Sequence, residues 1–170
     1  MRITYRHEDT HAYWERRWSG IPADEAAENP DAYPLKYAEL AVGGDRVGRI
    51  LEAGCGNGRI LRYYHDRGYA VTGTDYVRVP IEKLRAADPE LDVRCGDVRA
   101  LDFRDSAFRY VLAFGLYHNL EPEDCRRALA ETRRVLEPGG RVCASYRADS
   151  LHSRLIDREA DRRARQRGKG

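Results

Sequence analysis

Three glycines alternate in the stretch Ile50-Leu51-Glu52-Ala53-Gly54-Cys55-Gly56-Asn57-Gly58-Arg59, between a short apolar run and a segment with helical patterning. This feature constrains the chain more than any other. Glycines at such a strand-to-helix joint let the backbone turn tightly and approach a ligand without intervening Cβ atoms, while the helix N-terminus turns its amides toward that ligand. A dinucleotide site needs G-x-G-x-x-G, and the place of its third glycine is taken here by Arg59. A phosphate-cradling Walker loop needs Gly-Lys-Ser/Thr, which does not follow. An ordinary βα turn accounts for one or two glycines but not for three in alternation with an acid two residues ahead.

The rest of the chain repeats the same rhythm. Short apolar runs at 49–53, 70–74, 92–95, 110–114 and 141–145 read as strands, and segments at about 58–67, 77–87 and 122–136 read as helices. Glu121-Pro122 opens the last helix with proline where its missing N–H is harmless, and Pro138-Gly139-Gly140 is expected to stop it. Strands alternating with helices predict an α/β fold, a Rossmann-like doubly wound parallel sheet. Residues 1–45 form a polar, aromatic-rich leader with short helices near 9–18 and 34–42; residues 46–150 form the α/β unit; residues 151–170 form a basic helical tail. With 170 residues, 42% hydrophobic and 34% charged, one domain is expected rather than two.

Thirty basic residues nearly balance 28 acidic ones, so net charge gives no reason to expect nucleic acid or an anionic membrane. The basic excess sits in the tail, which holds arginines at 154, 158, 162, 163, 165 and 167 but no aromatic for base stacking. No run approaches the ~20 apolar residues of a membrane span, and Met1–His11 lacks the apolar core of a secretion signal, which reads as cytoplasmic. Cys55, Cys95, Cys125 and Cys143 are widely spaced, suiting neither a zinc ribbon nor a disulfide framework. His7-Glu8-Asp9-Thr10-His11 spells H-E-x-x-H, but no apolar helix flanks it and no third ligand follows, so no metal is expected.

The E-x-G-C-G-x-G run before a helix resembles motif I of the class I S-adenosylmethionine-dependent methyltransferases. Residues from about 13 to 150 are similar to that family, in particular to its small-molecule, quinone-biosynthesis-like branch, whose Y-W-x-x-R-W openings the Tyr13–Trp18 leader resembles. The resemblance implies a sheet in the order 3-2-1-4-5 that lacks the terminal antiparallel strand pair of the family, with S-adenosyl-L-methionine across the carboxyl ends of its first three strands. It further implies that Glu52, Gly54, Cys55, Gly56 and Gly58 hold the methionine part of the cofactor, that Asp75 with Tyr76 takes the ribose, and that Asp97 and Val98 take the adenine. Phe114 would line the transfer pocket, and Leu136–Gly140 matches an L-x-P-G-G turn. Family members carry aspartate at the place of Arg109, a departure expected to alter surface charge only.

Methyl transfer from a sulfonium needs alignment and dryness more than a charged catalyst. His118 is a candidate base for a hydroxyl acceptor, with loop packing an equal reading, and Tyr13, Trp14, Trp18 and Tyr117 are candidate lid or substrate contacts. The expected reaction is methylation of a small-molecule acceptor. Two alternatives stay open: a cofactor-binding module that does not turn over, shortened or a fragment, with a fifth-strand edge open to a homodimer partner, and an RNA methylase that uses the basic tail.

Overall fold

In a computed structural model of the chain, residues 10–21 and 33–146 are described. Five strands form one parallel sheet: β1 (Ile50–Ala53), β2 (Val71–Asp75), β3 (Val93–Cys95), β4 (Phe108–Ala113) and β5 (Leu136–Ala144), in the order β3-β2-β1-β4-β5. This is the expected order. The helices are α1 (Thr10–Ser19) and α2 (Leu35–Val42) in the leader, α3 (Arg59–His65) after β1, α4 (Arg78–Ala87) after β2, and α5 (Pro122–Val135) before β5.

A parallel sheet covered on both faces favours mainly apolar strands, and β1 shows how its residues divide between the two faces. Ile50 points into a core made with α2, α3 and α4, where Leu35, Ile60, Leu61, Tyr64, Ile81 and Leu84 are buried; Leu51 and Ala53 point into a second core with Phe108, Val111, Ala128 and Val135 under α5. Each such leucine or isoleucine contributes roughly 1.5–3 kcal/mol by leaving water. Ile50 pairs with Val71 on one side and Tyr110 on the other, which brings the carboxyl ends of β1, β2 and β4 level.

The end of α5 departs from expectation. Its buried face, Ala128, Thr132 and Val135, follows helical spacing, and Glu123 and Asp124 near its start with Arg133 and Arg134 near its end complement the helix dipole. The helix stops at Val135, three residues before Pro138, because Leu136 already takes extended backbone (φ −83°, ψ 134°) and pairs with Phe108. The next partners are Tyr110 and Arg141, so Glu137–Gly140 bulge out of β5 beside the entrance of β4, with Gly139 at φ +75°. The Pro-Gly-Gly turn is therefore a bulge inside the strand, not the helix stop. Arg109 lies at that entrance, its amide bonded to the Arg49 carbonyl, at the opposite end of β4 from Phe114.

No helix spans β3 to β4. Arg134 instead ties the intervening loop to α5, donating to the carbonyls of Leu101 (2.8 Å) and Phe103 (2.7 Å) and to Asp105 and Glu131. The basic tail lies outside the described residues, as do His7 and the segment 22–32.

Candidate active site

The glycine loop leaves β1 at the sheet's switch point, where β2 goes one way and β4 the other. Gly54, Gly56 and Gly58 all have positive φ (71°, 50° and 72°), a backbone that side chains with Cβ adopt at a cost of about 1 kcal/mol or more. The amides of Gly54 and Cys55 both donate to the Thr74 carbonyl, pinning the loop to the end of β2. Around it three apolar side chains fill the space a Cβ would need: Leu116 3.1 Å from one built on Gly54, the Trp18 ring 2.4 Å from one on Gly56, and Leu84 2.9 Å from one on Gly58. Gly56 is thus required twice, by its backbone and by Trp18. Cys55 is buried, and burial, with the carboxyls of Asp75 and Glu52 close by, holds its thiol well above its ordinary pKa. It stays protonated and serves as packing.

Two carboxyls are buried beneath this loop. Glu52, 6% exposed, accepts the Leu61 amide at 2.7 Å. Helix α3 has glycine at its N-cap and so no side-chain cap of its own; Glu52 provides one from the neighbouring strand. Burial, helped by the nearby Asp75 and opposed by the Leu61 bond, pushes the Glu52 carboxyl up to about 8. Asp75, 5% exposed, ends β2 and accepts from Gly56 (2.9 Å, Oδ2) and Val77 (2.9 Å, Oδ1). Its pKa is also raised by burial, against the pull of those amides and of His11 on α1. A carboxylate offers about four acceptor positions, and with the amides of Gly56, Val77 and Tyr76 engaging it Asp75 keeps one for a further donor.

The leader closes over this pair. Trp14 and Trp18 stack at 5.8 Å with Arg17 across both rings, Tyr13 meets Trp14 edge-on, and His11 meets the half-exposed Tyr76 at 5.2 Å. What seats the helix is Lys83 of α4, whose Nζ donates to the carbonyls of Trp18 (2.8 Å), Ser19 (2.9 Å) and Ile21 (3.0 Å). A cation at a helix C-terminus both satisfies orphan carbonyls and complements the dipole. Lys83→Met is expected to release α1 while leaving the sheet intact: tryptophan emission should shift to the red with a loss of roughly 1–3 kcal/mol in stability, since charge-assisted hydrogen bonds are lost. Unchanged emission in that variant would show that α1 is held by other contacts.

The remaining residues spread along the carboxyl edge. Asp97, after β3, is engaged by Arg99, while the Val98 side chain is buried in the core under α5. Phe114 meets Tyr33 edge-on at 5.9 Å; the Tyr33 hydroxyl donates to Ser145 Oγ, which also accepts the Gly115 amide at 2.9 Å. His118 is exposed on the short 3-10 turn Tyr117–Asn119, which Asn119 fastens to the Gly115 carbonyl. Tyr117 sits apart from the lid residues: it is buried in the core, its hydroxyl 2.7 Å from Thr132 of α5. The structure thus gathers Glu52, the glycine loop, Asp75 and Trp18 into one place, with Asp97 and Phe114 to either side. Lys83, Arg99 and the Tyr33–Ser145 pair were not foreseen. For Lys83 one signal exists, since only three of the 30 basic residues are lysines.

Among the described residues no group of three or more His, Cys, Asp or Glu side chains is placed to hold a metal ion, and no helix is long and apolar enough to cross a membrane. Residues 50–140, more than half of the chain, match the family model described as "Methyltransferase domain". The chain belongs to that family. Its match to demethylmenaquinone methyltransferase of Renibacterium salmoninarum is 35% identical over 103 residues, covering 60% of this chain and 42% of the relative. The match to phosphatidylethanolamine N-methyltransferase of Cereibacter sphaeroides is 38% identical over 104 residues, covering 57% and 49%. Among solved structures, a TehB-like SAM-dependent methyltransferase from Corynebacterium glutamicum superposes with a TM-score of 0.62 at 25% identity, over 88% of this chain and 81% of that one. The methyltransferase domain described here spans less than half the length of these curated relatives. Its five-strand order and flanking helices are those of the class I S-adenosylmethionine-dependent fold.

Proposed function

We propose that the chain binds S-adenosyl-L-methionine across the carboxyl ends of β1, β2 and β3 and transfers its methyl group to a small-molecule acceptor. The observation that carries this reading is the buried pair Glu52 and Asp75 under a glycine loop at the switch point, one carboxyl anchored to the α3 amide and the other held by backbone amides with an acceptor position to spare. The residues fit the cofactor: acceptors for an ammonium and for the ribose, and a helix N-terminus for a carboxylate.

The bound cofactor supplies an activated methyl on a sulfonium. The protein's share is alignment and exclusion of water. Asp75 would fix the ribose and Glu52 the methionine ammonium. Trp18, held by Lys83, covers the glycine loop and keeps water from it. The acceptor would enter beside Phe114 and Gly115, between the leader and the turn that carries His118. For a hydroxyl acceptor His118 would take the proton; an acceptor that arrives as a thiolate or a neutral amine is already nucleophilic and would not need a base to activate it.

The names of the relatives cover a quinone and a lipid amine, and both are small molecules, which supports the acceptor class without choosing among its members. The test is calorimetry with S-adenosylhomocysteine, followed by transfer of labelled methyl to a panel of phenols, quinols, amines and thiols. Heat of binding with incorporation into one of these is the expected result. Heat without incorporation into any acceptor would favour a binding module that does not turn over, and no heat would overturn the cofactor assignment.

A further inference from the structure

Arg99 stands two residues beyond Asp97, after the end of β3, and turns each of its three guanidinium nitrogens to a carboxylate. Its amide donates to Asp97 Oδ1 at 2.8 Å, Nε lies 2.9 Å from both Asp97 oxygens, and Nη2 reaches Oδ2 at 2.6 Å. The outer arm, Nη1, donates to Asp124 Oδ2 of α5 at 2.7 Å. One guanidinium thus grips the carboxylate edge-on and moors it to a helix on another layer of the fold. This fork is rigid and planar, so it fixes the plane of the Asp97 carboxylate in a way that a lysine, a point charge on a flexible stem, does not.

We propose that Arg99 is a positioning residue that sets adenine specificity, by holding Asp97 as an oriented carboxylate that accepts from the cofactor's amino group and repels a carbonyl at the same place. The proposal rests on the cofactor reading above and on Asp97 as the acid that faces the adenine. Nη2 takes one lone pair of Oδ2, and an acceptor position remains for an incoming N–H. A carboxylate kept ionised by its partner can accept but never donate. A carboxylate released from that partner stays ionised but can rotate, so its lone pairs no longer meet the amino group in one fixed direction and its charge no longer stands in one place against a carbonyl. The arginine therefore separates the two nucleosides without touching either.

The experiment compares S-adenosylhomocysteine with S-inosylhomocysteine, in which a carbonyl replaces the amino group, by calorimetry on the wild type, Arg99→Ala and Arg99→Lys. Expected is a wild-type preference for the adenosyl compound of about tenfold or more, the scale of one charge-assisted hydrogen bond. In Arg99→Ala the adenosyl affinity should fall by roughly tenfold while the inosyl affinity changes by less than about threefold, so that the preference collapses. Arg99→Lys should recover part of the affinity but little of the preference, because the charge returns without the fork. Arg99 is half-exposed, and melting curves on each variant separate a lost fold from a lost preference. Equal losses for both compounds would mark Arg99 as a structural tie of the loop to α5 and overturn the proposal, as would a preference unchanged from the wild type. A wild type that binds neither compound would overturn the cofactor reading itself; binding with the preference intact in both variants would overturn only the role given to Arg99.

Discussion

Replacing Asp75 with asparagine (Asp75→Asn) is expected to weaken S-adenosylhomocysteine binding by about a hundredfold, with a melting temperature lower by several degrees. Two losses add. The ribose hydroxyls lose a charged acceptor, and hydrogen bonds to charged groups contribute roughly 1.5–3 kcal/mol each. The new amide must also turn its NH2 toward either the Gly56 or the Val77 amide, donor against donor, in a place that is 5% exposed. A buried N–H left in that way costs about 1–3 kcal/mol. Calorimetry gives the first effect and thermal denaturation without ligand the second. A variant that melts lower yet binds as well as the wild type would leave Asp75 as a brace of the glycine loop and remove it from the ribose.

The second large effect is a dependence of stability on pH that disappears with one substitution. In the folded protein the Glu52 carboxyl is raised to about 8 by burial, from 4.5. Below about 4.5 both folded and unfolded chains hold the proton, and Glu52 contributes no penalty. Between 4.5 and 8 the unfolded chain gives it up while the folded chain keeps it, so stability falls as pH rises, by about 1.4 kcal/mol per unit. Above 8 both are ionised, and the full penalty, on the order of 5 kcal/mol, stands. Glu52→Gln keeps an oxygen for the Leu61 amide and cannot ionise, so its melting temperature should gain on the wild type from pH 5 to pH 8.5. A gap that stays constant over that range would show that Glu52 is ionised in the fold throughout. The same carboxyl should make cofactor binding release a proton at pH 7, because an ammonium beside it favours the charged form. Calorimetry in two buffers of different ionisation heat reads that proton directly, and Glu52→Gln should abolish its release.

Much of this site is visible in the amino-acid order because backbone geometry demands particular residue types there. Three positive φ angles in five residues leave glycine as the residue that fits, and strands in a covered parallel sheet read as short apolar runs, so the loop and the five strands could be anticipated from the residues, while the order 3-2-1-4-5 came with the family resemblance that the loop carries. The first contact of β5 could not. Leu136 continues the apolar spacing of α5, and only its pairing with Phe108 turns it into strand. Tyr117 shows a related limit: a tyrosine after a strand end suits a rim or a core equally, and Thr132, fifteen residues on, takes its hydroxyl. Lys83 acts on partners 62 to 65 residues away, and the arm by which Arg99 moors its neighbour Asp97 to α5 reaches 25 residues on, across separations that local periodicity does not span. Those long-range ties come from the folded arrangement.

The glycine loop is shaped from outside itself. Leu116 from beyond β4, Trp18 from the leader and Leu84 from α4 each press on a different one of its three glycines. A designer who transplanted residues 52–58 to another α/β scaffold would carry over the motif and leave the mould behind. Portability would require the three surrounding contacts to travel with it, and drift at any one of them would alter a loop whose own letters had not changed.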